Sequence, residues 1–303
     1  MPFPKALVPK GRPPQYRARL RRPGGIFMHS SSGDPVATVS EAEASGEIAA
    51  LYRDIRATLG VPVVNLIWRH LAAFPGGLDW AWQSLRPLYA RGWVAAEARA
   101  LREGLNIPVL PGLTLAGFRA LGLGERDIAQ IMTLLRSYER SNAMNMIALG
   151  ALLARLDGVS GSLLPASPPL PGETGAVAGT MPDLLSLDDM APPVRDLVVA
   201  LNAVGGRDDI LASMYRHLAN WPPYLALIQT LITPFGQLEP VIGGVIVEGR
   251  RRAAGLVADL ADPAQALDAD MQAELRRVLN RFIDGPIGKM IAIVPLIRQA
   301  MPQ

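Results

Sequence analysis

Between Ser45 and Gly60 the apolar residues Ile48, Leu51, Tyr52 and Ile55 recur at i, i+3, i+4 and i+7, the spacing that lines one face of an α-helix. Ser45 is placed to cap the start of that helix and Gly60 to end it. The same period puts Ile67, Leu71 and Phe74 on one stripe ahead of Pro75. It puts Leu211, Met214, Leu218 and Trp221 on another ahead of Pro222. Each of these two helices is expected to stop at its proline, with a bulky aromatic sealing the core just before it. The run from Leu113 to Leu156 reads as a short helix, a glycine turn and one or two longer helices. No stretch keeps strand-like alternation beyond a few residues, so the predicted class is all-α.

The two proline-terminated helices share more than a period. Residues 68–75 read WRHLAAFP and residues 215–222 read YRHLANWP, an offset of 147. A second match lies further on at an offset of 144, where LLRSYERSNAMNMIALGALL (134–153) resembles VLNRFIDGPIGKMIAIVPLI (278–297). There Leu135 meets Leu279, Tyr138 meets Phe282, and Met146-Ile147-Ala148 meets Met290-Ile291-Ala292. Two matches in the same order predict two homologous helical repeats, 45–157 and 192–303, packed about a pseudo-twofold with a cleft at the seam. Residues 1–44 are left as a tail. Residues 158–191 are left as a linker, and seven prolines in 165–193 forbid a continuous helix there. A linker of this length wraps the body or is loose.

Composition narrows the functions available. There is no cysteine, which excludes disulfides, CxxC redox chemistry and cysteine-held zinc. The net charge of +3 is uneven. Residues 1–33 carry Lys5, Lys10, Arg12, Arg17, Arg19, Arg21 and Arg22 and no acid, leaving 23 bases against 27 acids, net −4, for the remainder. That basic tail has three readings: a surface for nucleic acid or acidic membrane, a transit peptide, or residues upstream of a start at Met28. The start at Met28 is favoured, and a disordered tail comes next. No segment reaches the ~20 apolar residues of a membrane span. The basic cluster Arg250–Arg252 lacks the interleaved aromatics of a nucleic-acid surface. Neither a nucleic acid nor a membrane is expected as a partner, and the cytoplasm is the expected location.

Chemistry-bearing residues are few. A pseudo-twofold would bring His70 and His217 together as a two-histidine metal site, but metal sites want three or four ligands. Packing histidines inherited with the repeat are the expectation, with no metal. Arg69 and Arg216 could each hold a substrate carboxylate by a bidentate pair, against the default of exposed helix arginines. There is no Walker A loop, GxGxxG turn or GxSxG elbow.

Three stretches are similar to the group I 2-haloacid dehalogenases: LYRDIRATLGVPVVNLIWRHLAAFPGGLDWAW (51–82), SYERSNAMNMIALGAL, and HLANWPPYLALIQTLITPF with MPDLLSLDD upstream. The resemblance runs from about residue 45 to the end of the chain. It implies an all-helical homodimer without a cofactor, its site between the repeats. An aspartate there activates a water that attacks Cα of a short 2-haloalkanoate and expels halide with inversion. The family asparagine that positions the water falls on Asn142. The family's aromatic pair falls on Val63 and Leu66, neither of them aromatic. The essential aspartate falls on Met214, which cannot take a proton from water. Tyr215 follows it in the wall of the implied site. Glu139, three residues before Asn142 on the same helix face, is the candidate replacement base, against the reading of a solvated glutamate paired with an arginine. One of Asp208 and Asp209 is expected to cap the Met214 helix. The resulting expectation is a protein that binds a small 2-substituted carboxylic acid and either hydrolyses it or has lost the chemistry.

Overall fold

The structure, a computed structural model, describes residues 33–160, 168, 175–234 and 238–302. Among the described residues every regular element is helical. The first half runs α1 (Gly46–Leu59), α2 (Leu66–Leu71), α3 (Gly77–Ala90), α4 (Trp93–Glu103), α5 (Leu115–Ala120) and α6 (Glu125–Leu156). The second runs α7 (Pro192–Ala203), α8 (Ser213–Leu218), α9 (Pro222–Ile232), α10 (Leu238–Ala254), α11 (Ala269–Phe282) and α12 (Gly288–Gln299). A π-helical turn, Ile283–Ile287, joins α11 to α12 and contains Gly285 and Pro286.

The core is built on α6. Its 32 residues extend about 48 Å at the α-helical rise, and nearly every position from Ser141 to Leu153 is buried. A helix apolar on all sides must be surrounded, and α4, α10 and α12 surround it. The closest approach is to α10, where a Cβ added to Gly150 would lie 2.7 Å from the Cβ of Ala253. Glycine at that position lets the two backbones nearly touch.

Two extended segments wrap this body, and they make like contacts. Residues 33–44 run past α1 and α2: Val39 N donates to Arg69 O (3.0 Å), the Tyr52 hydroxyl donates to Val39 O (2.7 Å), and His70 Nδ1 meets Ala37 O (2.6 Å). Residues 175–191 run past α8. There His217 Nδ1 meets Pro182 O (3.2 Å), Asn220 donates to Asp183 O (2.9 Å), and Arg216 Nε donates to Leu185 O (2.6 Å). The linker also crosses to the first half, where Val177 N donates to Gly60 O (2.8 Å) beside the left-handed turn (φ 64°) that ends α1.

Several expectations are corrected. Residues 33–44 are packed, unlike the tail to which they were assigned, while 1–32 lie outside the described residues. The helices α2 and α8 stop before their prolines. Pro222 instead opens α9, where its missing N–H costs nothing, and Pro75 lies in the turn before α3. Asp208 and Asp209 do not cap α8, whose N-cap residue is Ala212.

Candidate functional site

A small cavity opens where α2 and α8 meet α6 and the π-helical turn. It measures about 30 Å³ on the scale where one water needs roughly 10–15 Å³. The walls are contributed in pairs that carry the offsets seen in the sequence. Asn65, Leu66 and Ile67 stand with Ala212, Ser213 and Met214 at 147 residues, and Tyr138 and Asn142 stand with Phe282 and Pro286 at 144. Asn145, Ile287 and Met290 complete the wall. The wall therefore mixes amide and hydroxyl groups with apolar side chains.

The partners of the amides decide what each presents. The indole N–H of Trp68 can only donate, and it donates to Asn145 Oδ1 at 3.1 Å. The NH₂ of Asn145 is thus the free end, fully buried and without a partner. A backbone carbonyl can only accept, and Tyr138 O accepts from Asn142 Nδ2 at 2.8 Å. The amide oxygen of Asn142 is therefore its other end. Asn65 is tied to the Ser141 hydroxyl (2.9 Å), which leaves its Oδ1 buried and unpartnered, and the Tyr138 hydroxyl is buried and unpartnered too. Each such group costs about 1–3 kcal/mol unless something fills the site. Their convergence on one cavity marks it as a place for a polar ligand or water.

Nothing in the wall can act as a base near neutral pH. The lining residues include no Asp, Glu, His or Lys. Burial raises the Tyr138 phenol further above its usual range, so it stays protonated. His217 lies behind it, ring against ring at 5.9 Å. Burial first, then the positive charges of Arg216 and Arg69, push that imidazole down to about 3, so it is neutral.

Beneath α2 and α8 lies a buried ion cluster. Asp34, on the first wrapping segment, accepts from Arg69 through one carboxylate oxygen and from Arg216 through the other. Its side chain and that of Arg216 are 0% exposed, and that of Arg69 is 4%. The Thr38 hydroxyl also donates to Asp34 (2.8 Å). Arg69 Nη2 reaches to 3.5 Å from the Ser213 hydroxyl, which links the cluster to the cavity wall.

Of the residues expected at the site, Asn142, Leu66 and Met214 line the cavity, and Met214 is wholly buried. The others do not line it. Arg69 and Arg216 are buried rather than exposed, and the carboxylate they hold belongs to Asp34. Glu139 is not among the lining residues and pairs with Arg298. Val63 and Tyr215 are packed in the core. The two histidines are separately engaged, each with a carbonyl of its own wrapping segment, and His70 also stacks on Phe282 at 5.5 Å. Among the described residues no group of three His, Asp or Glu could hold a metal. No helix there is long and apolar enough to cross a membrane. Sequence reasoning missed Asn65, Asn145, Tyr138 and Ser213. The signals were present: Asn145 follows Asn142 by three, and Tyr138 is the aligned partner of Phe282.

Among the described residues the body is all-helical, with a small cavity lined by three asparagines, and comparison places that fold among known proteins. No family model matches the chain. A configuration-inverting 2-haloacid dehalogenase of Alcaligenes xylosoxydans xylosoxydans is 28% identical over 215 residues, 66% of this chain and 70% of that protein. Another configuration-inverting 2-haloacid dehalogenase, from Pseudomonas sp. (strain 113), is 28% identical over 204 residues, 62% of this chain and 64% of that one. Structures of a D-2-haloacid dehalogenase with L-LA, and of a mutant with D-2-CPA, superimpose with TM-scores of 0.71 and 0.70. Each shares 20% identity and covers 93% of this chain and 99% of the other. The chain is similar in sequence to configuration-inverting 2-haloacid dehalogenases and shares the fold of the D-2-haloacid dehalogenase structures.

Proposed function

We propose that the protein binds a short 2-substituted carboxylic acid in this cavity and does not hydrolyse it by general-base catalysis. The observation that carries the reading is the composition of the wall. Unpartnered amide and hydroxyl groups converge there, and no side chain in it can accept a proton from water. The free NH₂ of Asn145 and the hydroxyls of Tyr138 and Ser213 suit a carboxylate, which takes up to four hydrogen bonds. The thioethers of Met214 and Met290 and the ring of Phe282 suit the substituent and alkyl part. The amide oxygen of Asn142 can accept from a water beside Cα and so orient it. An amide is far too weak a base to deprotonate that water, so orientation without proton removal leaves the attack slow. The relatives named for 2-haloacids support the ligand class, and the small volume favours a short acid.

Calorimetric titration of the full chain with propionate, 2-chloropropionate and propionamide tests the reading. Saturable binding of the two acids with none of the amide is expected. Absence of acid binding, or many halides released per chain, would overturn it.

A further inference from the structure

We infer that Met214 captures 2-haloalkanoates covalently, as a sulfonium adduct, so that the cavity is a single-use alkylation site. This rests on the reading that short 2-substituted acids bind there. The thioether is the one nucleophile of the apolar wall besides Met290, and Met214 is fully buried at the start of α8, directly after Ser213. A thioether needs no base. One sulfur lone pair forms the S–Cα bond, the C–halogen bond breaks, and halide leaves with its electron pair. No proton moves and no further reagent is required. The product keeps its carboxylate beside the new sulfonium, so the adduct is an internal ion pair of no net charge, which lessens the cost of a cation in an apolar wall. The groups that suit the carboxylate, Asn145 and Tyr138, line the same small cavity as Met214. Holding Cα against sulfur in that space supplies the effective concentration an intermolecular alkylation lacks.

Selectivity distinguishes capture from ordinary surface alkylation. Met132, Met181 and Met271 are half-buried and accessible to reagent, whereas Met214 is not exposed to bulk water. The full chain is incubated with bromoacetate at neutral pH. Bromide is counted, and the peptides are mapped by mass spectrometry. We expect one bromide per chain, one carboxymethyl group on the peptide carrying Met214, and protection by excess propionate. Met214→Leu should lose the adduct, whereas Met132→Leu, outside the cavity, should keep both the adduct and propionate binding. An adduct spread over Met132, Met181 and Met271, or placed on Met290, overturns the inference. So does continuous bromide release. Propionate binding without any adduct overturns the capture and leaves the binding reading standing, whereas the absence of both removes the two together.

Discussion

Asp34 is the residue whose replacement the structure predicts most sharply. Its carboxylate is the shared counter-charge of Arg69 and Arg216, and all three side chains are 4% exposed or less. Asp34→Asn keeps the shape and removes the charge, leaving two guanidinium groups buried against a neutral amide. Removing one partner of a buried pair costs about 3–5 kcal/mol. One carboxylate serving two cations belongs at the upper end of that range. With a urea slope of roughly 2–3 kcal/mol/M, the unfolding midpoint should fall by about 1.5–2 M. Glu103→Gln is the control, because its pair with Arg99 is more than half exposed on both sides. Such pairs contribute about 0–1 kcal/mol. Asp34→Asn combined with Arg69→Met and Arg216→Met should recover much of the loss, since the damage comes from the unpaired cations. A loss under about 1 kcal/mol for Asp34→Asn, equal to the control, would refute the claim that the first wrapping segment is fastened by a buried charge.

Further outcomes are expected elsewhere in the molecule. Asn145→Leu removes the free donor of the cavity, and titration calorimetry should show propionate binding weakened about 10- to 100-fold, the value of roughly 1.5–3 kcal/mol for a hydrogen bond to a charged group. Gly150→Ala should destabilise by about 1–3 kcal/mol in urea unfolding despite alanine's better helix propensity, because its Cβ meets that of Ala253 at 2.7 Å. Adding Ala253→Gly should restore stability. Lys289 is buried, donates to the carbonyls of Asn202 and Gly206, and is pushed by burial from 10.5 down to about 8. The unfolded chain then binds more protons than the folded one between those values, so this lysine makes stability rise with pH across that window. The full effect is on the order of 3 kcal/mol. Urea unfolding from pH 8 to 9.5, below the range where exposed tyrosines ionise, should show a rise in wild type that Lys289→Met lacks.

The helices were legible because their information is local. The period of 3.6 in 46–59 and Gly60 at its end placed α1 within a residue, and the reading of 113–156 as a short helix, a glycine turn and one or two longer helices is matched by α5 and the single helix α6. Where the reading failed, the deciding contact was distant. Nothing near Arg69 or Arg216 marks them as buried, since their common partner lies 35 and 182 residues away. A solvated arginine and one paired in the core look alike in a helix stripe. Glu139 pairs with an arginine, as its alternative reading had it, but that arginine is Arg298, 159 residues off, and not a neighbour on the same helix. Proline was misread because it breaks a preceding helix and opens a following one equally well, and at Pro222 only the second occurs. The cavity was partly legible through its pairs, with Tyr138 already aligned to Phe282. The donor at Asn145 emerges only once Trp68 is seen to hold the oxygen of that amide.

The central claim is that the cavity receives a short acid and lacks only a proton acceptor at position 214. Halide release from 2-chloropropionate, followed to many equivalents per chain for wild type and for Met214→Asp, addresses it most directly. The account predicts that wild type stops at no more than one equivalent while Met214→Asp turns over. Sustained turnover by the wild type, with the aspartate variant no faster, would contradict it.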